Sequence, residues 1–339
     1  MRPWYHAIAD KLSDAASAMS ASLPGRPRKA WQAAINGARW PDPYHLKGTP
    51  ESTRAAGAAV FITARFRSGS TYLWTLLHHL GPFTVYYEPL HERRWFEDGV
   101  RDVPIDASHI GMTSYHTNYE GLESLAHLYD ERWTSRRLFM EAGATDRKLQ
   151  AYIQTLIDRA DRQPVLQFNR VDFRLPWLRR NFSQARIFHL YRSPREQWVS
   201  SLRGEDLPLH VTLADFKPFD YFYLLPWWRD LRRVFDALRG YKHAHPYRAF
   251  YLLWRLSYLM ARQYADVSVA YEQLAQAPAA ILRQAFATLD IDCEGIAWDV
   301  LDGLTEYRAE PRWPAFAEPA WFEEVEQQVE EELYRMLHA

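Results

Sequence analysis

Residues 58–80 read AAVFITARFRSGSTYLWTLLHHL, and this stretch sets the fold of the chain. The apolar and β-branched run at 59–63 predicts a strand, and the apolar spacing over 73–80 predicts a helix. Between them, small residues predict a short turn: Ser68, Gly69, Ser70 and Thr71. Backbone N–H groups at the start of such a helix, together with donors from Arg67, suit an anion of the phosphate or sulfate type. We therefore expect an anion-binding loop here.

Four further apolar runs predict strands, at 83–87, 164–168, 186–191 and 267–270. Segments with helical periodicity lie around them, at 120–133, 147–161, 175–182, 193–202, 216–264, 278–289 and 321–337. Strands that alternate with helices are typical of an α/β fold. The pattern therefore predicts a parallel sheet of about five strands with helices on both faces.

Polar residues follow each predicted strand at the point where it ends. In such sheets, ligands bind outside the carboxyl ends of the strands. We therefore expect these residues to converge on one edge of the sheet: Arg67 to Thr71, Glu88, Asn169, Arg170, Arg192, Tyr271 and Glu272.

The chain divides into two parts at about residue 50. Residues 1–50 contain two proline-rich breaks, at 24–27 and 41–43, and predict an appended helical arm. Residues 51–339 predict a single domain with helical insertions.

The composition of the 339 residues excludes several classes of protein. A hydrophobic share of 47% is enough for a large core, and a net charge of -1 argues against a nucleic-acid partner. The single cysteine, Cys293, cannot form an intrachain disulfide, which fits a reducing compartment. The apolar stretch 247–264 carries three arginines, so we expect no transmembrane segment. A cytoplasmic protein is the simplest expectation.

The anion loop lacks the known nucleotide-loop spacings. Neither Gly-x-x-x-x-Gly-Lys-Ser/Thr nor Gly-x-Gly-x-x-Gly occurs in it, so ATP hydrolysis and a dinucleotide fold are not directly supported. A second motif, RIFHLYRSPREQWVSSLRG at 186–204, ends a strand at Arg192 and carries Ser200 two helical turns later. A guanidinium and a hydroxyl at this spacing can bind one phosphate.

Together, the two motifs resemble the donor-binding signatures of sulfotransferases that use 3'-phosphoadenylyl sulfate. The likeness spans roughly residues 58–290. It implies a P-loop-nucleotide-kinase-like sulfotransferase fold and no metal cofactor. It also implies that Arg67, Ser68, Gly69, Ser70 and Thr71 bind the 5'-phosphosulfate, and that Arg192 and Ser200 bind the 3'-phosphate. A third segment, VAYEQL at 269–274, resembles the family's Tyr-Glu-Asp-Leu segment and implies that Tyr271 lies near the adenine.

Glu88 is the catalytic candidate. It lies in YYEPLH at 86–91, which resembles the Glu-Pro-Leu segment of carbohydrate-type and bacterial sulfotransferases more than the cytosolic phenol branch. The resemblance implies that Glu88 is the base that takes the acceptor proton, with His91 as the second candidate. The alternative is a structural ion pair between Glu88 and a nearby arginine. The cytosolic branch's Arg-Lys-Gly segment is absent here, and Arg308 and Arg312 are candidates to replace it.

The expected function is sulfuryl transfer from 3'-phosphoadenylyl sulfate to a hydroxyl of a carbohydrate or other alcohol, with Arg67 stabilising the charge that develops on the donor. Two alternatives stay open. One is a nucleotide-dependent phosphotransferase, which would need magnesium. The other is a non-catalytic scaffold with a nucleotide-binding fold.

Overall fold

Five strands form one all-parallel sheet in the computed structural model, which describes residues 58–100, 104–106, 109, 112, 114–304 and 310–338. The strands are β1 (Val60–Ala64), β2 (Phe83–Tyr87), β3 (Gln163–Phe168), β4 (Arg186–Tyr191) and β5 (Val267–Ala270). Their order across the sheet is β2-β3-β1-β4-β5. The predicted α/β class and five-stranded parallel sheet are confirmed, while the predicted arm at 1–50 lies outside the described residues.

Helices surround the sheet. Those of the described part of the chain are α1 (Ser70–Leu80), α2 (Arg147–Asp158), α3 (Leu175–Asn181), α4 (Pro194–Ser201), α5 (Leu224–Leu231), α6 (Pro246–Tyr264), α7 (Tyr271–Gln276), α8 (Pro278–Leu289) and α9 (Pro319–His338). None of these helices combines the length and the apolar composition that a membrane span requires.

The strand that precedes the anion loop lies in the middle of the sheet. All five residues of β1 are buried, because β3 and β4 pair with it on either side: Val60 is in register with Val165 and with Arg186. A strand covered in this way is largely apolar, and the hydroxyl of Thr63, its polar side chain, donates a 3.0 Å hydrogen bond to Asp172.

The topology creates a ligand crevice at the end of β1. The chain leaves β1 towards β2, at one edge of the sheet, and leaves β4 towards β5, at the other edge. Neighbouring strands whose connections run in opposite directions form a topological switch point, where open α/β sheets bind ligands. The anion loop follows β1 and Arg192 follows β4, so both flank this crevice.

A second hydrophobic cluster lies beside the sheet, built mainly by α4, α5, α6 and α9. Helix α6 runs through it and has most of its residues buried. Arg255 within this helix is buried as well, and Glu330 of α9 accepts hydrogen bonds from its guanidinium, including one of 2.9 Å from Nη2. The arginine in this apolar stretch thus has a buried counter-charge, as the interior requires.

The helix predicted at 120–133 is wrong. This stretch forms short 3₁₀ turns instead, at Glu123–His127 and Glu131–Thr134. Apolar residues three apart fit both helix types, so their spacing does not separate them. Gly121 has a φ of 75°, and Asp130 is extended and accepts a hydrogen bond from the backbone N–H of Arg132, so the chain is interrupted at both places.

Candidate functional site

The anion loop turns sharply between β1 and α1. Arg67 has a φ of 64° and Gly69 a φ of 92°. The hydroxyl of Ser68 donates a 2.7 Å hydrogen bond to the carbonyl of Arg65, and Ser68 is fully buried. Ser68 therefore stabilises the loop from inside. Its side chain does not line the cleft, although the resemblance implied that it binds the donor.

Gly69 is required at the start of α1 for two reasons. Its positive φ is unfavourable for other residues, and a Cβ at this position would overlap the ring of Tyr271. The ring of Tyr271 thus packs directly on the loop. It also lies 4.8 Å from Cζ of Arg192, in a cation–π contact.

A cleft of about 920 Å³ opens at the carboxyl ends of the strands. It is lined by nearly all residues that the sequence singled out: Arg67, Gly69, Ser70, Thr71, Glu88, His91, Arg192, Ser200 and Tyr271. Segments that lie far apart in the sequence therefore meet in one place, as the strand-end argument predicts.

One end of the cleft is cationic. Nε of Arg67 donates a 3.0 Å hydrogen bond to the hydroxyl of Ser200, and Nη1 of Arg192 donates one of 3.3 Å to the carbonyl of Arg67. Burial lowers the pKa of both guanidiniums below their usual value of 12.5, and Arg312 lowers both further by repulsion. Arginine remains charged at neutral pH despite such shifts. This end of the cleft therefore favours an anionic ligand.

Glu196 and Arg312 complete the cationic end. The carboxylate of Glu196 lies 3.3 Å from Nη2 of Arg192 and accepts a 2.6 Å hydrogen bond from the backbone N–H of Arg312. Arg312 is one of the two arginines expected to serve this region, and the other, Arg308, lies outside the described residues. Glu196 was missed, although it lies four residues after Arg192, where the helix begins, and this spacing favours an ion pair.

Glu88 lies at the other end of the cleft, immediately after β2. Its φ of 39° is unfavourable for a residue with a side chain, and such conformations are concentrated at functional sites. Burial raises the pKa of its carboxyl group above the usual 4.5, while Arg170 and a hydrogen bond from Asn169 oppose that shift. A carboxylate in this setting is a stronger base than an exposed glutamate.

Arg170 forms an ion pair with Glu88, which is the alternative, structural role considered for this glutamate. The contact from its Nη1 to Glu88 is long, at 3.5 Å, whereas its contacts to Asn169 and Glu92 are 2.6 and 2.7 Å. The guanidinium also lies 4.8 Å from the ring of Phe66. Arg170 is therefore held mainly by other groups and does not saturate the Glu88 carboxylate.

His91 is poorly suited to act as the base. Burial, aided by repulsion from Arg170, lowers its pKa to about 3. Its Nδ1 accepts a 3.0 Å hydrogen bond from the backbone N–H of Arg93, which leaves the proton on Nε2, 3.6 Å from the Glu88 carboxylate. The imidazole is neutral and weakly basic, so Glu88 is the better acceptor of a proton.

A hydrogen-bonded chain that the sequence did not predict starts at Thr71. Its hydroxyl lies 3.1 Å from the Tyr87 hydroxyl and 3.4 Å from Nε2 of His109. Nδ1 of His109 in turn lies 2.7 Å from the Tyr115 hydroxyl. These side chains line the cleft between the anion loop and Glu88. The turn-rich segment around His109 has no periodicity, so its sequence gave no signal.

Aromatic residues form another part of the cleft wall. Tyr221, Phe222 and Tyr223 line it, and the ring of Tyr223 stacks on Phe66 at 5.8 Å. Trp227, four residues further on, is buried in the core instead. The aromatic stretch thus serves both the cleft and the core.

No protein-family model matches the sequence, and no curated protein matches it significantly.

Proposed function

We propose that this protein is a sulfotransferase that moves a sulfuryl group from 3'-phosphoadenylyl sulfate to a hydroxyl of an acceptor. The observation that carries the proposal is the cleft itself, which has Arg67, Arg192 and Arg312 at one end and the buried carboxylate of Glu88, beside Arg170, at the other. The first end matches an anionic donor, and the second matches the removal of a proton from an alcohol.

The donor would bind at the switch point of the sheet. The cleft volume of about 920 Å³ is within the usual range for small-molecule sites, about 300–1,000 Å³. Arg192, Ser200 and Arg312 would bind the 3'-phosphate. The hydroxyls of Ser70 and Thr71, with the backbone N–H groups that begin α1, would bind the 5' end. Tyr271, which lies on the loop beside Arg192, would contact the nucleoside.

Arg67 would link the two ends of the donor. It belongs to the anion loop, yet its Nε reaches Ser200. Its charge would stabilise the oxygen that leaves with the 5'-phosphate, where negative charge develops in the transition state.

The reaction would be a substitution at sulfur. The acceptor oxygen forms a bond to sulfur, the bond from sulfur to the 5'-phosphate oxygen breaks, and the acceptor proton passes to Glu88. The products are a sulfate ester and adenosine 3',5'-bisphosphate. Positioning and charge neutralisation would supply most of the catalysis. The raised pKa of Glu88 supports its role as the base.

The acceptor would lie beside Glu88. Rings at this end include Tyr223 and Trp95, which both line the cleft, while the ring of Phe222 lies 5.4 Å from Cζ of Arg67. Aromatic walls bind flat apolar faces, which both sugars and phenols provide. We therefore propose an alcohol carried on a ring, of the carbohydrate or aryl type.

Calorimetric titration of nucleotides, together with an assay of bisphosphate release, tests the proposal against the two alternatives. A sulfotransferase should bind adenosine 3',5'-bisphosphate and should release it from 3'-phosphoadenylyl sulfate in the presence of a panel of sugars and phenols. Tighter binding of ATP with magnesium would favour the phosphotransferase and contradict the proposal. Bisphosphate binding without turnover on any acceptor of the panel would favour the scaffold.

A further inference from the structure

Glu196 connects two segments of the cationic end that lie far apart in the sequence. It stands in α4, and its side chain is only 13% exposed. Through Oε2 it accepts a 3.3 Å hydrogen bond from Nη2 of Arg192, which immediately follows β4. Within the part of the chain that the structure describes, the buried Nε of Arg192 has no hydrogen-bond partner. The contact with Glu196 therefore fixes one side of a guanidinium that can still donate.

The other oxygen of the same carboxylate binds the chain near residue 312. Oε1 of Glu196 accepts hydrogen bonds from the backbone N–H groups of Arg312, at 2.6 Å, and Trp313, at 3.1 Å. Nε of Arg312 lies 3.8 Å from Oε2. Arg312 itself is 45% exposed, and within the described residues these contacts tie it to the cleft. One carboxylate thus places the guanidiniums of Arg192 and Arg312 side by side.

This arrangement opposes the mutual repulsion of the arginines. Arg312 acts on both Arg67 and Arg192 as a like charge, so the three would separate without a counter-charge. Glu196 supplies that charge before any ligand arrives. A site assembled in advance binds its ligand more tightly, because less ordering is left for the binding step.

The residue before Glu196 in α4 forms an ion pair that lies outside the cleft. Arg195 forms a two-pronged ion pair with Glu326 of α9, with distances of 2.9 and 2.8 Å. Neither of these residues lines the cleft. The two ion pairs belong to the same helix, but only that of Glu196 involves arginines that face the ligand site.

We propose that Glu196 is a positioning residue of the donor site, which holds Arg192 and Arg312 together so that both bind the 3'-phosphate. The inference rests on the proposed function. It predicts that Glu196 determines the preference for a nucleotide that carries a 3'-phosphate over one that lacks it.

The test is calorimetric titration of the full chain with adenosine 3',5'-bisphosphate and with adenosine 5'-monophosphate. Glu196→Gln should lower the ratio of the two affinities by about tenfold or more, the effect of losing a charge-assisted hydrogen bond. Glu326→Gln is the matched control and should leave the ratio unchanged. Arg312→Ala should also lower the ratio, and should lower it less when Glu196→Gln is already present, because the two residues act as a unit.

The outcomes separate the inference from the proposed function. A wild-type preference that persists in Glu196→Gln, or that falls equally in Glu326→Gln, contradicts the inference alone. A wild-type chain without any preference for the bisphosphate contradicts the proposed function and the inference together. If Glu196→Gln does not fold, the exposed Arg312→Ala decides, and an unchanged ratio in it overturns the inference.

Discussion

The Nε–H of Arg67 donates a hydrogen bond to the hydroxyl of Ser200 over 3.0 Å. The bond joins the anion loop after β1 to helix α4. It links the group proposed for the reacting end of the donor with a group proposed for the 3' end. The two ends of the site are therefore coupled before a nucleotide binds.

Replacement of Ser200 tests this coupling. Ser200→Ala should weaken binding of adenosine 3',5'-bisphosphate by about 0.5–1.5 kcal/mol, since a hydroxyl that binds Arg67 and faces the ligand is lost. Ser201→Ala is the matched control, because the Ser201 hydroxyl donates to the carbonyl of Trp198 instead. Titration calorimetry measures both. Equal affinities for Ser200→Ala and the wild type would remove Ser200 from the donor site.

Replacement of Glu88 tests the proposed base. Glu88→Gln keeps the size of the side chain but cannot accept the proton, so turnover should fall by about 10²- to 10⁴-fold while bisphosphate binding is retained. Glu97→Gln is the control, because Glu97 pairs with Arg94 outside the cleft. The measurement is release of bisphosphate in the presence of an acceptor. Unchanged turnover would exclude Glu88 from the mechanism.

The pH profile of turnover tests the environment of Glu88. Burial would raise the pKa of Glu92, but Arg170 and several smaller contributions, including a hydrogen bond from Tyr223, together lower it. Glu92 is therefore ionised and acts on Glu88 as a like charge. Glu92→Gln removes that charge, lowers the pKa of Glu88 and should shift the acid limb of the profile to lower pH. A shift to higher pH, or none, would contradict this account of the Glu88 carboxyl.

Substitution of two glycines distinguishes the cost of backbone strain from the cost of overlap with the ring of Tyr271. Gly69 and Gly81 have nearly the same φ, 92° and 91°, but only a Cβ at Gly69 would meet the ring of Tyr271. Gly81→Ala should cost about 1–2 kcal/mol in the free energy of unfolding, from its backbone conformation. Gly69→Ala should cost more and should also weaken nucleotide binding, because Tyr271 must move. Equal losses in urea unfolding would show that the ring is not fixed.

Buried histidines should make the protein sensitive to acid. Burial lowers the pKa to about 3 for His91 and His189, and to about 4 for His109 and His245. In the unfolded chain the value is about 6.5. Below that pH the unfolded chain binds protons that the folded chain does not bind, so the histidines contribute fully to stability only above about pH 6.5. This contribution is lost as the pH falls towards 4 for His109 and His245 and towards 3 for His91 and His189. The raised pKa of Glu88 acts in the opposite sense.

Urea unfolding at about pH 7 and about pH 5 measures this loss. Each histidine should contribute roughly 1.4 kcal/mol per pH unit within the window. His189 is the residue to test, because it lies inside β4 and outside the cleft. His189→Gln should reduce the pH dependence by that amount, and an unreduced dependence would contradict its buried, neutral state.

The sequence was informative where local patterns decide the structure. The bounds of β2, β4 and β5 agree with the prediction, because short apolar runs between polar residues are typical of buried parallel strands. Strand ends in turn located Glu88 and Arg192 at one edge of the sheet. The stretch at 120–133 was misread because its apolar spacing suits 3₁₀ turns as well as a helix.

The remaining part of the site depends on contacts between distant segments. Glu196 accepts a hydrogen bond from the backbone N–H of Arg312, and the Thr71 hydroxyl contacts His109. No local sequence pattern predicts either contact. Arg170 was expected at the edge of the sheet, but not its position between Glu88 and Glu92. Such contacts follow from the packing of loops onto the finished sheet, which single-sequence patterns do not encode.

The central position of β1 has a consequence for the order of events during folding. Val60 is in register with Val165 and Arg186, so the partners of this early strand lie more than a hundred residues downstream. On a ribosome, the anion loop would emerge long before the strands that fix its shape. Pairing over such separations slows folding and leaves apolar strands exposed for longer. The proposed donor site also uses Arg312, near the end of this sequence, so a nascent chain would complete that site only after most of its residues have been made.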